Sequence, residues 1–124
     1  MTTTRLILVI DDEEDIREVV QIALEFTAGW RAVGCGSGTE GVARARQDRP
    51  DAILLDVMMP SQDGTAVLTE LKSDPRSADI PVIMFTAKAK TQRQPPEGAA
   101  GVIVKPFDPG RLASEIAELL GWRI

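Results

Sequence analysis

The sequence predicts a doubly wound α/β domain built on a five-stranded parallel sheet, and three observations predict it. Five short apolar runs alternate along the chain with segments whose apolar residues recur at helical spacing. The clearest run is apolar throughout rather than at every second position, the pattern of a parallel strand buried on both faces. No repeat, low-complexity tract or linker interrupts the alternation, and 124 residues is the size of one domain, 1–124. Repeated strand–helix units of this length give a parallel sheet covered by helices on both faces.

Leu6-Ile7-Leu8-Val9-Ile10 is the first strand. Ile16, Val19, Val20, Ala23 and Leu24 then form one helical stripe, with Gly29 as its stop. A less apolar strand over 31–34 suits a sheet edge, and a helix over about 39–47 carries Val42, Ala43 and Ala45. Ala52-Ile53-Leu54-Leu55 is the third strand, followed by a helix over roughly 64–72 with Val67, Leu68 and Leu71 inward. Gly64 is expected to turn the chain ahead of that helix. Pro81 to Phe85 and Gly101 to Val104 are the fourth and fifth strands. Asp108 caps the last helix with Pro109 in its first position. Leu112, Ile116, Leu119 and Leu120 are its buried stripe, and Gly121 ends it. Between the fourth and fifth strands, Gln94-Pro95-Pro96 leaves room for one short helix at most, since proline inside a helix costs about 3 kcal/mol.

Composition removes several function classes. The formal charge of −5 offers no basic footprint for nucleic acid. No apolar run approaches the roughly 18 residues of a membrane span, and the N-terminus lacks a signal-peptide layout, so a cytoplasmic location is expected. Cys35 is the only cysteine and reads as a small semi-buried residue. Histidine is absent, which removes the commonest general base and zinc ligand and every Ser-His or Cys-His pairing. Chemistry here must run on carboxylates, hydroxyls and lysine, with a hard metal ion as an optional addition.

Ligands of open parallel sheets bind beyond the carboxyl ends of the strands. The first strand runs into Asp11-Asp12-Glu13, the third into Asp56, the fourth into Thr86 and the fifth into Lys105-Pro106. These ends share one edge of the sheet. Two carboxylates about 4 Å apart repel by about 4 kcal/mol at an effective dielectric near 20, so such a cluster protonates or binds a cation. Oxygen-only ligands suit Mg²⁺. Asp56, alone at the end of a central strand, is the best nucleophile toward phosphorus. Asp11 and Asp12 are better placed for the metal, with Lys105 and Thr86 for the phosphoryl oxygens. Singly, each residue has an ordinary explanation. Asp11 and Asp12 can cap a helix, Asp56 can precede a turn, Thr86 can be a strand-end hydroxyl and Lys105 a solvated lysine. Their joint placement on one edge is what those explanations leave out.

The motifs Val9-Ile10-Asp11-Asp12-Glu13, Leu55-Asp56-Val57-Met58-Met59-Pro60, Asp63-Gly64, Phe85-Thr86-Ala87 and Lys105-Pro106-Phe107 together resemble the receiver domain of bacterial two-component response regulators. The resemblance spans essentially the whole chain and is to the single-domain, chemotaxis-regulator type. It implies a flavodoxin-like fold with strand order 2-1-3-4-5, here with a shortened or irregular fourth helix, and a cis Lys105-Pro106 bond. It implies Asp56 as phosphoacceptor, Asp11, Asp12, Asp56 and the backbone carbonyl of Met58 around Mg²⁺, and Thr86 and Lys105 as phosphoryl-sensing residues. The implied donor is a phosphohistidine on a sensor histidine kinase or phosphotransfer protein, with a downstream protein target and a monomer or weak dimer.

Two features depart from the family pattern. The aromatic residue common three positions before the lysine is Val102 here, so a rotating ring cannot report phosphorylation there. The proline-containing stretch before the fifth strand falls on the face that many relatives use for dimers or targets. These departures favour weighing a second reading, the same fold as a constitutive interaction module. A third class, an aspartate-nucleophile phosphatase or a flavin carrier, fits less well. A phosphatase wants more chain for specificity, and a flavin carrier wants a phosphate-cradling loop where Asp11-Asp12-Glu13 stands. Trp30 and Trp122 read as cover for the core, Met58 and Met59 as packing residues, and Lys88, Lys90 and Arg93 as a solvated basic loop, with Lys88 near enough to Thr86 to affect water access.

Overall fold

A computed structural model of the chain describes residues 4–60, 62–87 and 96–123. Its elements run β1 (Leu6–Ile10), α1 (Glu14–Ala28), β2 (Arg31–Cys35), α2 (Gly38–Asp48), β3 (Ala52–Asp56), α3 (Gly64–Lys72), β4 (Val82–Thr86), β5 (Gly101–Val104) and α4 (Leu112–Leu120). The five strands are parallel in the order β2-β1-β3-β4-β5. The doubly wound, flavodoxin-like arrangement expected from the sequence is therefore the one found.

Strand pleating divides the core in two, because alternate side chains point to opposite faces. Ile7, Val9, Leu54, Ile83, Phe85 and Ile103 face the layer of α1 and α4, where they meet Val20, Leu24 and Ile116. Leu8, Ile10, Ile53, Leu55, Val82 and Met84 face α2 and α3, where they meet Val42, Val67 and Leu71. All of these are buried. Continuous apolar strands thus serve two cores at once.

The helix ends follow local chemistry. Gly29 and Gly121 close α1 and α4 in the left-handed conformation. Ser37 and Asp63 cap α2 and α3 by accepting main-chain N–H groups. Asp108 accepts the Gly110 N–H as expected, but Pro109–Arg111 form a 3-10 turn and α4 begins only at Leu112. Gly64 is the first residue of α3 and its φ is not positive. Its role is close approach, since a Cβ there would sit 2.6 Å from the Asp56 carbonyl oxygen and 2.7 Å from Val57 Cα.

Several side chains lie elsewhere than the periodicity places them. Val19 and Leu119, each read as inward, are 39% and 40% exposed, and Ala113 and Ala117 take the buried places on α4. Cys35 is fully buried rather than semi-buried. Residues 96–100 contain a turn and no helix. The rest of that expectation, with Lys88, Lys90, Arg93 and Gln94-Pro95, lies outside the described residues.

Glycine–strand contact generates a prediction. A Cβ on Gly41 would lie 2.4 Å from Ile10 Cδ1, a side chain that can shift, whereas one on Gly64 meets main chain. Gly41→Ala is expected to cost about 1–3 kcal/mol, as overpacking does. Gly64→Ala is expected to cost more. Urea unfolding of the two variants checks the order.

Candidate functional site

Register sets the site. Ile10 pairs with Leu55, so the next residues, Asp11 and Asp56, emerge side by side. Thr86 pairs with Val104, so Lys105 emerges one step beyond Thr86. Main-chain bonds carry the ladders past the strand ends: Asp11 N–H donates to Cys35 O (3.0 Å), Val57 N–H to Phe85 O (3.2 Å) and Lys105 N–H to Thr86 O (2.7 Å). Asp11, Asp56 and Lys105 also share the pleat parity of the α1 and α4 face, as Val9, Leu54 and Ile103 do.

Carboxylate oxygens of Asp11, Asp12 and Asp56 lie within 4.8 Å of one another. Asp11 and Asp56 are buried and Asp12 is exposed. Lys105 Nζ donates to Asp11 Oδ2 over 2.7 Å and stands 3.5 Å from Asp56 Oδ1. Asp11 Oδ1 accepts the Glu13 N–H (2.9 Å), and Asp56 Oδ1 accepts the Met58 N–H (3.2 Å). The capping role considered for Asp11 and Asp12 is not the one found: α1 begins at Glu14 with Glu13 as its N-cap and no side-chain cap bond, and Asp11 closes only the turn that precedes it. Beneath the ammonium, Lys105 Nζ lies 5.0 Å from the centre of the Phe85 ring, which Phe107 supports at 5.1 Å.

Three carboxylates against one ammonium leave a formal charge of −2. Burial raises the Asp56 pKa above the usual carboxylate value, and the neighbouring Asp11 charge raises it further against the Met58 N–H and Lys105. For Lys105, burial pulls downward, but the hydrogen bond to Asp11 and the charges of Asp11, Asp56 and Glu13 outweigh it and raise its pKa. An all-oxygen donor set with surplus negative charge fits a hard divalent cation that keeps several waters.

Thr86 is buried, at the level of this cluster. Met58 is joined to the site through its N–H, but its side chain is 56% exposed rather than packed, whereas Met59 is buried. A cleft of about 420 Å³ lies along the β3–α3 loop, lined by Val57, Met58, Met59, Pro60, Gln62 and Asp63 and by none of the three clustered acids. The Lys105–Pro106 peptide bond is cis. Sequence reasoning missed Arg17, which donates to the Asp11 carbonyl (2.8 Å), and the two-phenylalanine platform under Lys105.

Residues 7–117 match the response regulator receiver domain. The chain belongs to the receiver domain family. Among relatives of this receiver chain, the DNA-binding dual master transcriptional regulator RpaA of Synechocystis is 40% identical over 92% of this chain and 48% of its own length. The phosphate regulon regulatory protein PhoB of Pseudomonas aeruginosa is 36% identical over 94% of this chain and 52% of its own. The receiver thus spans about half the length of these curated relatives. Among solved structures, chemotaxis response regulator CheY4 of Vibrio cholerae superposes with a TM-score of 0.85 at 28% identity, covering 94% of this chain and 99% of that one. The receiver domain of a sensor histidine kinase from Pseudomonas aeruginosa superposes with a TM-score of 0.84 at 26% identity, covering 96% and 99%. That neighbour holds a magnesium ion in its active-site cleft. Among the described residues of the receiver, no helix is long and apolar enough to cross a membrane.

The raised pKa of Asp56 makes its charge a burden on the fold. In metal-free buffer at neutral pH, Asp56→Asn is expected to raise the melting midpoint by a few degrees. Below about pH 3.9, the unfolded carboxylate value, Asp56 is protonated in both states and the gap is smallest. As pH rises from there through the raised folded value, the folded state holds the proton longer than the unfolded state. Wild-type stability therefore falls relative to the variant, and the gap is constant above that window. Paired thermal melts across pH measure it.

Proposed function

We propose that residues 1–124 form one receiver domain that is phosphorylated on Asp56 and thereby switches its binding to a partner protein. The observation that carries this reading is the Lys105 ammonium, joined to Asp11 across 94 residues of chain and also within 3.5 Å of Asp56. One cation spanning two buried acids from different strands is a costly arrangement for stability alone. It suits a site that must accept further negative charge.

The donor is a phosphohistidine on a sensor histidine kinase or phosphotransfer protein. An Asp56 carboxylate oxygen attacks phosphorus, an O–P bond forms, the P–N bond to the imidazole breaks, and the imidazole leaves with that electron pair. Thr86 donates its hydroxyl to one phosphoryl oxygen and Lys105 pairs with another. Asp11, Asp12, Asp56 and the Met58 backbone carbonyl would hold Mg²⁺. When bound, the ion supplies positive charge that offsets the phosphoryl oxygens.

The same reading makes the protein a cytoplasmic switch rather than a dedicated enzyme, a monomer or weak dimer, with its downstream protein target to be found. With a formal charge of −5, direct contact with nucleic acid is not part of it. Half-buried Val102 lies with Glu115, Glu118 and Leu119 around a small hollow of about 260 Å³. A hollow in place of a ring specifically favours the second reading, a constitutive interaction module.

Intact-mass analysis after incubation with a small acyl phosphate separates the two. The wild type is expected to gain one phosphoryl group only when Mg²⁺ is present, and Asp56→Asn none. A wild type that binds Mg²⁺ without gaining mass would leave the interaction module standing.

A further inference from the structure

Arg17 has no part in the phosphoryl chemistry above, yet it is tied to the site. It is half-buried in the second turn of α1, and its Nη1 donates to the main-chain carbonyl of Asp11 over 2.8 Å. That carbonyl belongs to the planar peptide group linking Asp11 to Asp12. Holding the plane sets the direction in which the Asp12 side chain departs. The two acids are restrained differently. The Asp11 carboxylate is gripped directly by Lys105 and the Glu13 N–H. The Asp12 carboxylate is exposed and enters no hydrogen bond among the described residues, so its placement depends on its main chain.

The path of the Arg17 stem is also specified. A Cβ on Gly34 would stand 2.9 Å from Arg17 Cδ, and one on Gly36 would stand 3.3 Å from Arg17 Nη1. Gly34 lies within β2 and Gly36 in the bend just after it, and the Arg17 side chain runs close to both. These two glycines, one in edge strand β2 and one just beyond it, leave the room through which the guanidinium reaches from α1 to the Asp11 carbonyl.

We propose that Arg17 is a positioning residue for the acid pair. Seated over Gly34 and Gly36 and bonded to the Asp11 carbonyl, it orients the Asp11–Asp12 peptide so that both carboxylates bear on one divalent cation. This rests on the reading of the acids as a Mg²⁺ site. It also runs against the charge effect, which makes a sharp test possible. A guanidinium near the acids repels a divalent cation, so its charge alone predicts tighter binding when it is removed. Positioning predicts weaker binding.

Arg17→Met keeps an unbranched stem over the glycines and removes the donors and the charge. Calorimetric titration with MgCl₂ of the full chain is expected to show affinity about 10-fold weaker than wild type, as for loss of a residue that orients a metal ligand. The metal-free melting midpoint, measured in chelator, is expected to stay close to wild type. Arg17→Lys is expected to recover part of the affinity. Gly34→Ala, which displaces the stem but leaves the guanidinium in the chain, is expected to weaken Mg²⁺ binding as well. Unchanged or tighter binding in Arg17→Met overturns the inference. So does a weakened Arg17→Met with an equally lowered metal-free midpoint while Arg17→Lys and Gly34→Ala bind as wild type, the pattern of a simple staple between α1 and β2. A wild type that binds no Mg²⁺ overturns the proposed function and this inference together, a failure visible before any variant is compared.

Discussion

Like charge at close quarters is the constraint around which the molecule is organised. Asp11 and Asp56 emerge from adjacent central strands into a buried position, with Asp12 beside them. Left alone, two such carboxylates would repel by several kcal/mol and lose hydration as well. The fold answers with Lys105, delivered from the far strand at the same level, and with main-chain N–H groups of Glu13 and Met58. Even so, the compensation is incomplete, because the burial and the Asp11 charge still raise the Asp56 pKa. The fold keeps a site in deficit of positive charge, and that deficit is what makes its oxygen donors fit a hard divalent cation.

The two-sided core is the means of holding it. Each strand gives alternate residues to the α1/α4 layer and to the α2/α3 layer, so no strand can rotate or slip by one residue without turning a core out. Register is thereby locked, and locked register is what sets Asp11 beside Asp56 and Lys105 beyond Thr86. The close seat of Gly64 against the Asp56 carbonyl fastens the start of α3 to the same edge.

Most of this was legible in the sequence because parallel strands buried on both faces leave long apolar runs, and a run that stops at an acid, a threonine or a lysine marks its own end. The four strand-end residues were readable one by one, and the topology then brought them together. What remained hidden depends on partners distant in sequence. Val19 and Leu119 satisfy helical periodicity yet face outward, since alanines on α4 fill the contact and no neighbour covers the outer face of α1 among the described residues. Gly64 read as a turn because a close approach looks the same in one dimension. Arg17 gave one overlooked signal: glycines at alternate positions, 34 inside β2 and 36 just past its end. Such spacing leaves an empty lane, and something long enough must fill it.

At the opposite edge of the sheet, Trp30 and Trp122 meet edge to face with ring centres 5.6 Å apart, and the Arg5 guanidinium lies 4.0 Å from the Trp122 ring centre. These are the only two indoles in the chain. One precedes β2 and the other follows α4, so the pair reports on how the last helix seats against the strand origins. Neither indole touches the acids. Intrinsic emission is therefore silent to direct quenching at the carboxyl edge, and any spectral change on loading that edge is a readout of mechanical coupling through the full depth of the sheet.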